Sequence, residues 1–350
     1  MARQIESKEI DVLNLARFGV AVLLVVAAGS NRQAKPAAAA GTVQVCLATA
    51  ADASCVYPTS VLPAGGMELH AIFRLDPSEH FTRLAYTWLA VDVGTAAPPN
   101  SRVAIGTLPL QQQRSGVFEQ TGIRRGLPPG DYRIDVTADG KPWKSVPFKV
   151  APPPAPITLG RPLDLIPATP GKVWTYAFTQ EAGSGAKITL PGITPGPDGK
   201  LHATVTLTVT PGDAGTVKVE TRRNDALVFE EWWRLDDTGL SATRRHSIGE
   251  DPIVLKPPQK IVAYPPAPQT WTYQPDDRSY RQTYKMWGPL PIATPTGPAP
   301  GFVVLTEQSM GLTKLTAERH FAPGVGLVRE IIITALGGDL LSRQELVLQK

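Results

Sequence analysis

Carboxylates are the side chains of this sequence that are best suited by type to catalysis. Hydrolysis of a glycosidic bond needs two carboxyl groups about 5–10 Å apart across a cleft. Neighbouring residues on a strand point to opposite faces, so Glu230 and Glu231 cannot form one acid–base pair with each other. The sequence does not show which carboxylates converge, and the candidates are Glu230, Glu231, Asp236, Asp237, Asp276 and Asp277.

The motifs of common enzyme classes are incomplete in this chain. Asp237-Thr238-Gly239 matches the aspartic-protease triplet but occurs once, whereas that mechanism needs two carboxylates that share a proton. We interpret the triplet as a hairpin turn. Residues 324–329 lack the third glycine of a dinucleotide-binding loop, and the five histidines include no pair at metal-ligand spacing. We therefore predict that the protein is not an enzyme, with no catalytic, cofactor-binding or metal-binding residues and no cofactor.

Aromatic residues in two segments could contact a ligand. On a strand, one of Trp232 and Trp233 should be buried and the other exposed, and an exposed tryptophan can contact a sugar, a lipid or a protein. The alternative is that this tryptophan lies under a loop or the adjacent domain. Tyr280 and Tyr284 fit one face of a second strand. The predicted ligand face consists of Trp232, Trp233, Tyr280, Tyr284 and Trp287.

The two cysteines, Cys46 and Cys55, are predicted to form a structural disulfide. An oxidising compartment would let them pair. The enclosed loop is short, and the loop-entropy model gives such a bond about 2–3 kcal/mol of stabilisation. A metal site needs more ligands, and a redox pair usually has the C-x-x-C spacing.

Residues 1–40 have the pattern of an export signal followed by a flexible tether. Phe18 to Ala28 is an uncharged run of 11 residues, shorter than the ~20 residues that a bilayer span needs. Small residues suit cleavage before Gly29 or before Gly41, and an uncleaved short anchor is the alternative. No later stretch could span a membrane. We expect the protein in the periplasm or on the cell surface of a bacterium.

Composition excludes several classes of protein. The 350 residues include 35 Pro and 31 Gly, too many for a coiled coil, and 42% hydrophobic residues, too many for a disordered chain. Residues 1–40 hold five basic and three acidic residues, which leaves 30 basic and 28 acidic residues in the rest. A chain so nearly neutral is not expected to bind nucleic acid.

The pattern of strands predicts an all-β protein with two folded parts. Residues 151–156 (APPPAP) form a stiff proline linker between residues 41–150 and 157–350. Tyr132, Ile134 and Val136 alternate with polar residues, as in a half-buried strand. Residues 288–301 are also rich in Pro and Gly, and we predict a long loop there.

Residues 42–150 resemble Ig-like modules of exported bacterial proteins. Gly130-Asp131-Tyr132 is similar to a tyrosine corner, in which the phenol bonds back to upstream backbone. The resemblance implies an Ig-like β-sandwich over residues 41–150, with Trp88 and Tyr132 in its core. Both cysteines precede Trp88, so the inter-sheet disulfide of antibody domains is not implied.

Residues 157–350 contain two divergent repeats, about 157–260 and 261–350, which predict a duplicated antiparallel β domain. Trp174-Thr175-Tyr176 and Trp271-Thr272-Tyr273 both follow proline-rich runs, and Gly-Leu recurs at positions 239 and 326. Together with Phe321 to Val328, these motifs resemble a family of exported bacterial domains of unassigned function. The resemblance implies an envelope or surface setting and brings no catalytic residues.

These observations predict an exported, non-enzymatic envelope or cell-surface interaction protein whose partner is an envelope protein, a glycan or a lipid. One alternative is a carrier of an apolar ligand in the C-terminal β domain. It predicts an apolar concavity lined by the aromatic residues of 229–233 and 280–287. The other alternative is a glycan-acting hydrolase, which would use the carboxylates named above.

Overall fold

The computed structural model describes residues 23–25 and 41–349, apart from 65, 67, 124, 125, 153–156, 158 and 214. Most of the predicted export signal and tether, and most of the proline linker, lie outside the described residues. The described residues belong to two compact units, which we call the N-terminal unit (32–155) and the C-terminal unit (156–350, with residues 1–31). Nearly all regular structure is strand, so the predicted all-β fold class is confirmed. No helix among the described residues is both long and apolar enough to cross a membrane.

The N-terminal unit contains two sheets, which are antiparallel except where β4 pairs with β10. Strands are numbered along the chain from β1 (Leu23–Val25), which pairs within the C-terminal unit. Those of the N-terminal unit are β2 (Thr42–Thr49), β3 (Cys55–Pro58), β4 (Val61–Pro63), β5 (Leu69–Arg74), β6 (Arg83–Asp92), β7 (Ser101–Pro109), β8 (Ser115–Gln120), β9 (Gly130–Ala138) and β10 (Lys141–Ala151).

The strand order of these sheets is that of an Ig-like sandwich. One sheet has the order β4-β10-β9-β6-β7, with β4 parallel to β10, and the other has the order β3-β2-β5-β8. Trp88 is fully buried and meets Phe148 edge-on at a centroid distance of 5.7 Å. Tyr86 of the first sheet contacts Phe118 of the second at 4.7 Å. The core of this unit therefore lies between the two sheets.

Tyr132 forms the hydrogen bond that a tyrosine corner requires. It is buried at the start of β9, and its hydroxyl donates to the carbonyl oxygen of Pro128 at 2.8 Å. Gly130 precedes it with a φ of +155°, and a Cβ there would lie 2.4 Å from the carbonyl oxygen of Asp92. Only glycine fits so close to neighbouring backbone. This short motif fixes where β9 enters the sheet.

The predicted disulfide is present and joins neighbouring strands. Cys46 on β2 is bonded to Cys55 on β3, with Cα atoms 5.5 Å apart. Cys46 is also buried in the core. The bond thus ties the β2–β3 hairpin, which lies at one side of the smaller sheet, to that core.

We expect the Cys46→Ala/Cys55→Ala variant to lose about 2–3 kcal/mol of unfolding free energy, because its unfolded chain regains the entropy of the open loop. Hydrogen exchange of β2 and β5 amides, measured with and without urea, would localise the loss. Wild-type protein kept in reductant should lose a similar amount. Equal protection in variant and wild type would contradict a stabilising role for the bond.

The C-terminal unit is built around one sheet of 12 strands. Its elements are α1 (Pro162–Leu165), β11 (Val173–Ala182), β12 (Lys187–Thr189), β13 (Leu201–Pro211), β14 (Val217–Arg223), β15 (Ala226–Asp236), β16 (Gly239–Ser247), β17 (Ile253–Ala263), β18 (Gln269–Tyr273), β19 (Gln282–Thr294), β20 (Gly297–Met310), β21 (Thr313–Ala322), β22 (Gly326–Leu336) and β23 (Asp339–Leu348). The sheet order is β17-β16-β15-β14-β13-β11-β23-β22-β21-β20-β19-β18, and β12 pairs with β1 outside it.

This sheet consists of two six-stranded meanders joined by the pairing of β11 with β23. The first meander runs through β11 and β13–β17, and the second through β18–β23. Trp174 lies on the first strand of one and Trp271 on the first strand of the other. Gly239 and Gly326 each begin the fifth strand. The recurring sequence motifs therefore occupy equivalent places in the two meanders.

The sheet curls until its two edge strands, β17 and β18, approach each other. The indole nitrogen of Trp271 on β18 donates to the carbonyl oxygen of Lys260 on β17 at 3.1 Å. Just after β18, the backbone N–H of Asp276 donates to the carbonyl oxygen of Lys256 at 2.8 Å. The concave face of the sheet is consequently enclosed.

The predicted loop over residues 288–301 is wrong, because β19 and β20 continue through it as a hairpin. β18 pairs with β19 only as far as Met286, and β21 pairs with β20 only from Phe302 onwards. No neighbouring strand therefore needs the outward N–H groups of the hairpin. Pro291 faces Pro300 across it, at positions where the missing N–H costs no ladder bond.

Candidate functional site

The concave face of the C-terminal sheet surrounds a cavity of about 130 Å³, which we call the inner cavity. Alternation of side chains turns an apolar face inward on several strands, for example Val205, Leu207 and Val209 on β13. The residues lining the cavity are Leu207, Val219, Thr221, Phe229, Glu231, Trp233, Leu240, Arg245, Gln259, Ile261, Tyr284, Arg319, Phe321, Leu327, Glu330 and Leu346.

Two ion pairs lie in the wall of the inner cavity. Nε of Arg245 is 2.5 Å from the Glu231 carboxylate, and Nε of Arg319 is 2.6 Å from the Glu330 carboxylate. All four side chains are at most 15% exposed. The second Glu231 oxygen accepts from the indole nitrogen of Trp233. Pairing offsets the large cost of removing these charges from water.

A buried polar network forms another part of this wall. The Gln259 amide donates to the Gln282 carbonyl and to the Tyr284 hydroxyl. Gln282 in turn donates to Gln308 at 2.9 Å, and Tyr284 donates to Gln282 at 2.8 Å. Burial raises the pKa of Tyr284 to about 12, so its hydroxyl keeps its proton at neutral pH. Oε1 of Gln259 has no hydrogen-bond partner among the described residues and is a free acceptor at the cavity wall.

A second cavity of about 210 Å³, the outer cavity, lies between the β16–β17 turn and the segment that links β18 to β19. Arg245 lines both the outer and the inner cavity. Four exposed acidic residues surround the outer one: Glu250, Asp251, Asp276 and Asp277. In the part of the chain that the structure describes, no three His, Cys, Asp or Glu side chains are placed to hold a metal ion.

The five residues of the predicted ligand face lie in different parts of the C-terminal unit. Trp233 and Tyr284 line the inner cavity, and Tyr280 lines the outer one. Trp232 is buried on the convex face beneath the Arg244 guanidinium, whose carbon is 3.6 Å from the indole centroid. The fifth residue, Trp287, is half-buried, and alternation along β19 places it on the face of the sheet opposite to that of Tyr284. The five residues do not form one exposed surface.

The candidate carboxylates also separate. Glu230 lies on the convex face, where Lys218 and His246 each bind it at 2.8 Å, whereas Glu231 is concave. Asp236 accepts two hydrogen bonds from Thr238 and so stabilises the turn between β15 and β16. The Asp237-Thr238-Gly239 triplet lies in this turn, as its interpretation as a hairpin turn predicts. Asp276 and Asp277 lie at the outer cavity.

Arg319 and Glu330 are concave residues that the sequence analysis missed. Glu330 lies on the same face of β22 as Ile332, and a bulge in the strand brings Leu327 to that face as well. A charge within an inward apolar alternation is the signal that could have identified it. Arg319 alternates in the same way with Ala317 and Phe321 on β21.

Comparison with known proteins yields no family for this chain. No protein-family model matches, and no curated protein matches. A presumed exported protein of YmcC-like fold from Bacteroides fragilis aligns at 13% identity with a TM-score of 0.21, covering 52% of this chain and 96% of its own. A marsupial T cell receptor aligns at 9% identity with a TM-score of 0.19, covering 85% and 100%. At these scores neither likeness bears on function.

We expect Glu231→Gln to lower the unfolding free energy by about 3–5 kcal/mol, because it breaks a buried ion pair by removing one of its two charges. Urea denaturation followed by tryptophan fluorescence would measure the loss. Lys200→Gln is the matched control, since it breaks the more exposed Lys200–Glu181 pair and should cost at most about 1 kcal/mol. The double variant Glu231→Leu/Arg245→Met should lose less than Glu231→Gln. Equal losses for Glu231→Gln and Lys200→Gln would contradict the burial argument.

Proposed function

We propose that this chain is an exported, non-enzymatic binding protein whose C-terminal unit carries a small apolar ligand inside its curled sheet. The observation that supports this function is the inner cavity. Phe229, Trp233 and Tyr284 line it, and they come from the two aromatic segments that a carrier was predicted to use. Apolar walls with a few convergent polar groups are the usual composition of a small-molecule site.

The volume of the cavity limits the size of the ligand. Pockets for drug-sized molecules measure roughly 300–1,000 Å³, whereas an engineered apolar cavity of about 150 Å³ holds benzene. A cavity of about 130 Å³ therefore suits a molecule, or an inserted part of one, close to benzene in size.

The arrangement of carboxylates favours binding over hydrolysis. Glu231 and Glu330 are the two carboxylates at the inner cavity, and each is held by an arginine at 2.6 Å or less. Neither is free to act as an acid or a base without breaking a buried ion pair, which would be costly.

Export is supported by the signal-like segment before residue 41 and by the Cys46–Cys55 disulfide, a bond typical of oxidising compartments. A second function, contact with an envelope protein, a glycan or a lipid, is favoured by the Ig-like unit. Its edge strand β7 leaves Ile105 60% exposed, on a sheet edge where a partner strand could add.

Native mass spectrometry of the full chain, secreted from a bacterial host, tests the carrier function. We expect an additional bound mass, or binding of millimolar benzyl alcohol in NMR titrations with shifts at Trp233 and Tyr284. Val219→Phe fills the cavity wall and should abolish both signals. The control Val209→Phe changes the same concave face outside the cavity lining and should retain them.

Thermal unfolding would establish that both variants fold, since overpacking costs about 1–3 kcal/mol. Thr221→Leu offers a milder filling of the same cavity if Val219→Phe is unstable. Wild-type protein without extra mass and without benzyl alcohol shifts would contradict the proposed function.

A further inference from the structure

Arg223 is a cation on the concave face that has no anionic partner among the described residues. It ends β14 and alternates with Val219 and Thr221, which line the inner cavity. Its guanidinium carbon lies 5.2 Å from the centroid of the Phe178 ring. The side chain makes no hydrogen bond or ion pair with any described residue, and its Nε is buried without an acceptor. Burial without a counter-charge lowers the pKa of this arginine.

The guanidinium lines a side cavity of about 30 Å³ that adjoins the inner cavity. The two cavities share three wall residues, Thr221, Glu330 and Leu346. The side cavity is large enough for one or two small polar atoms, and Phe178 forms its apolar side. A ligand in the inner cavity could therefore extend a small polar group to Arg223.

The charges around the two cavities leave one positive charge unbalanced. Three arginines and two glutamates line them on the concave face, and each glutamate is paired with an arginine other than Arg223. Glu345 also borders the side cavity, but its carboxylate binds Arg329 at 2.5 Å. The four acidic residues of the outer cavity are exposed and lie against β16–β19, away from β14.

We propose that the ligand of this cavity is a monoanion, a small apolar carboxylate whose carboxyl group binds Arg223 while its apolar body fills the inner cavity. This inference rests on the proposed carrier function and names its ligand class. A guanidinium presents parallel N–H donors that match a carboxylate in two-point geometry. Even partial burial of an arginine without an anion is unfavourable, and a bound carboxylate would offset that cost.

Titration of the full chain with benzoate and with benzyl alcohol tests the inference, because the two probes share a ring and differ in charge. We expect wild-type protein to bind benzoate at least tenfold more tightly than benzyl alcohol. Arg223→Gln should weaken benzoate at least tenfold and leave benzyl alcohol within twofold. The matched control is Arg222→Gln, since Arg222 lies on the opposite face, bonded to Glu220 at 3.4 Å, and should leave both affinities unchanged.

The outcomes of this titration distinguish a failure of the anionic-ligand inference from a failure of the proposed carrier function. Equal wild-type affinities for benzoate and benzyl alcohol would overturn the anionic ligand while leaving the carrier intact, and this comparison needs no variant. Loss of benzoate binding in Arg222→Gln as great as in Arg223→Gln would also overturn it, because the effect would then be general electrostatics. Binding of neither probe would remove the carrier function itself.

Discussion

The pairing of β11 with β23 is the constraint on which the C-terminal unit depends. It sets Tyr176 opposite Leu348, residues near the two ends of the unit's sequence. The entropic cost of closing a loop grows only slowly with its length, so bringing these two distant strands together costs little more than closing a shorter loop. It merges two six-stranded meanders into one sheet, and this width allows the sheet to curl until β17 and β18 approach each other.

Because the sheet curls, the alternation of side chains along each strand determines which residues line the enclosed space. Every second side chain of the sheet faces the same enclosed space, so a polar residue there must find its partner across strands. Arg245 and Arg319 do so with a glutamate on a neighbouring strand, β15 and β22 respectively. Among the described residues, Nε of Arg223 and the Oε1 atoms of Gln259 and Gln344 have no such partner, and a bound molecule could supply it.

Local features could be predicted from the sequence, whereas the binding cavity could not. The disulfide between Cys46 and Cys55 depends on nearby residues, as does the corner at Tyr132, and both are present. Alternation divides a strand into two faces but does not show which face becomes concave. The position of Glu330 on the concave face therefore follows only from the pairing of β22 within the sheet. The proline content of residues 288–301 led to the wrong prediction of a loop. The cost of a missing N–H depends on whether a neighbouring strand needs that group as a hydrogen-bond donor.

The proline hairpin of β19 and β20 has a consequence for the solubility of the protein. It projects beyond both neighbouring strands, and a bare strand edge of that kind invites another chain to add to it. On the β20 side, Pro298 and Pro300 occupy the outward positions, so that edge offers no N–H there to an incoming strand. The projecting edge is thereby protected on that side against pairing with a strand of another chain.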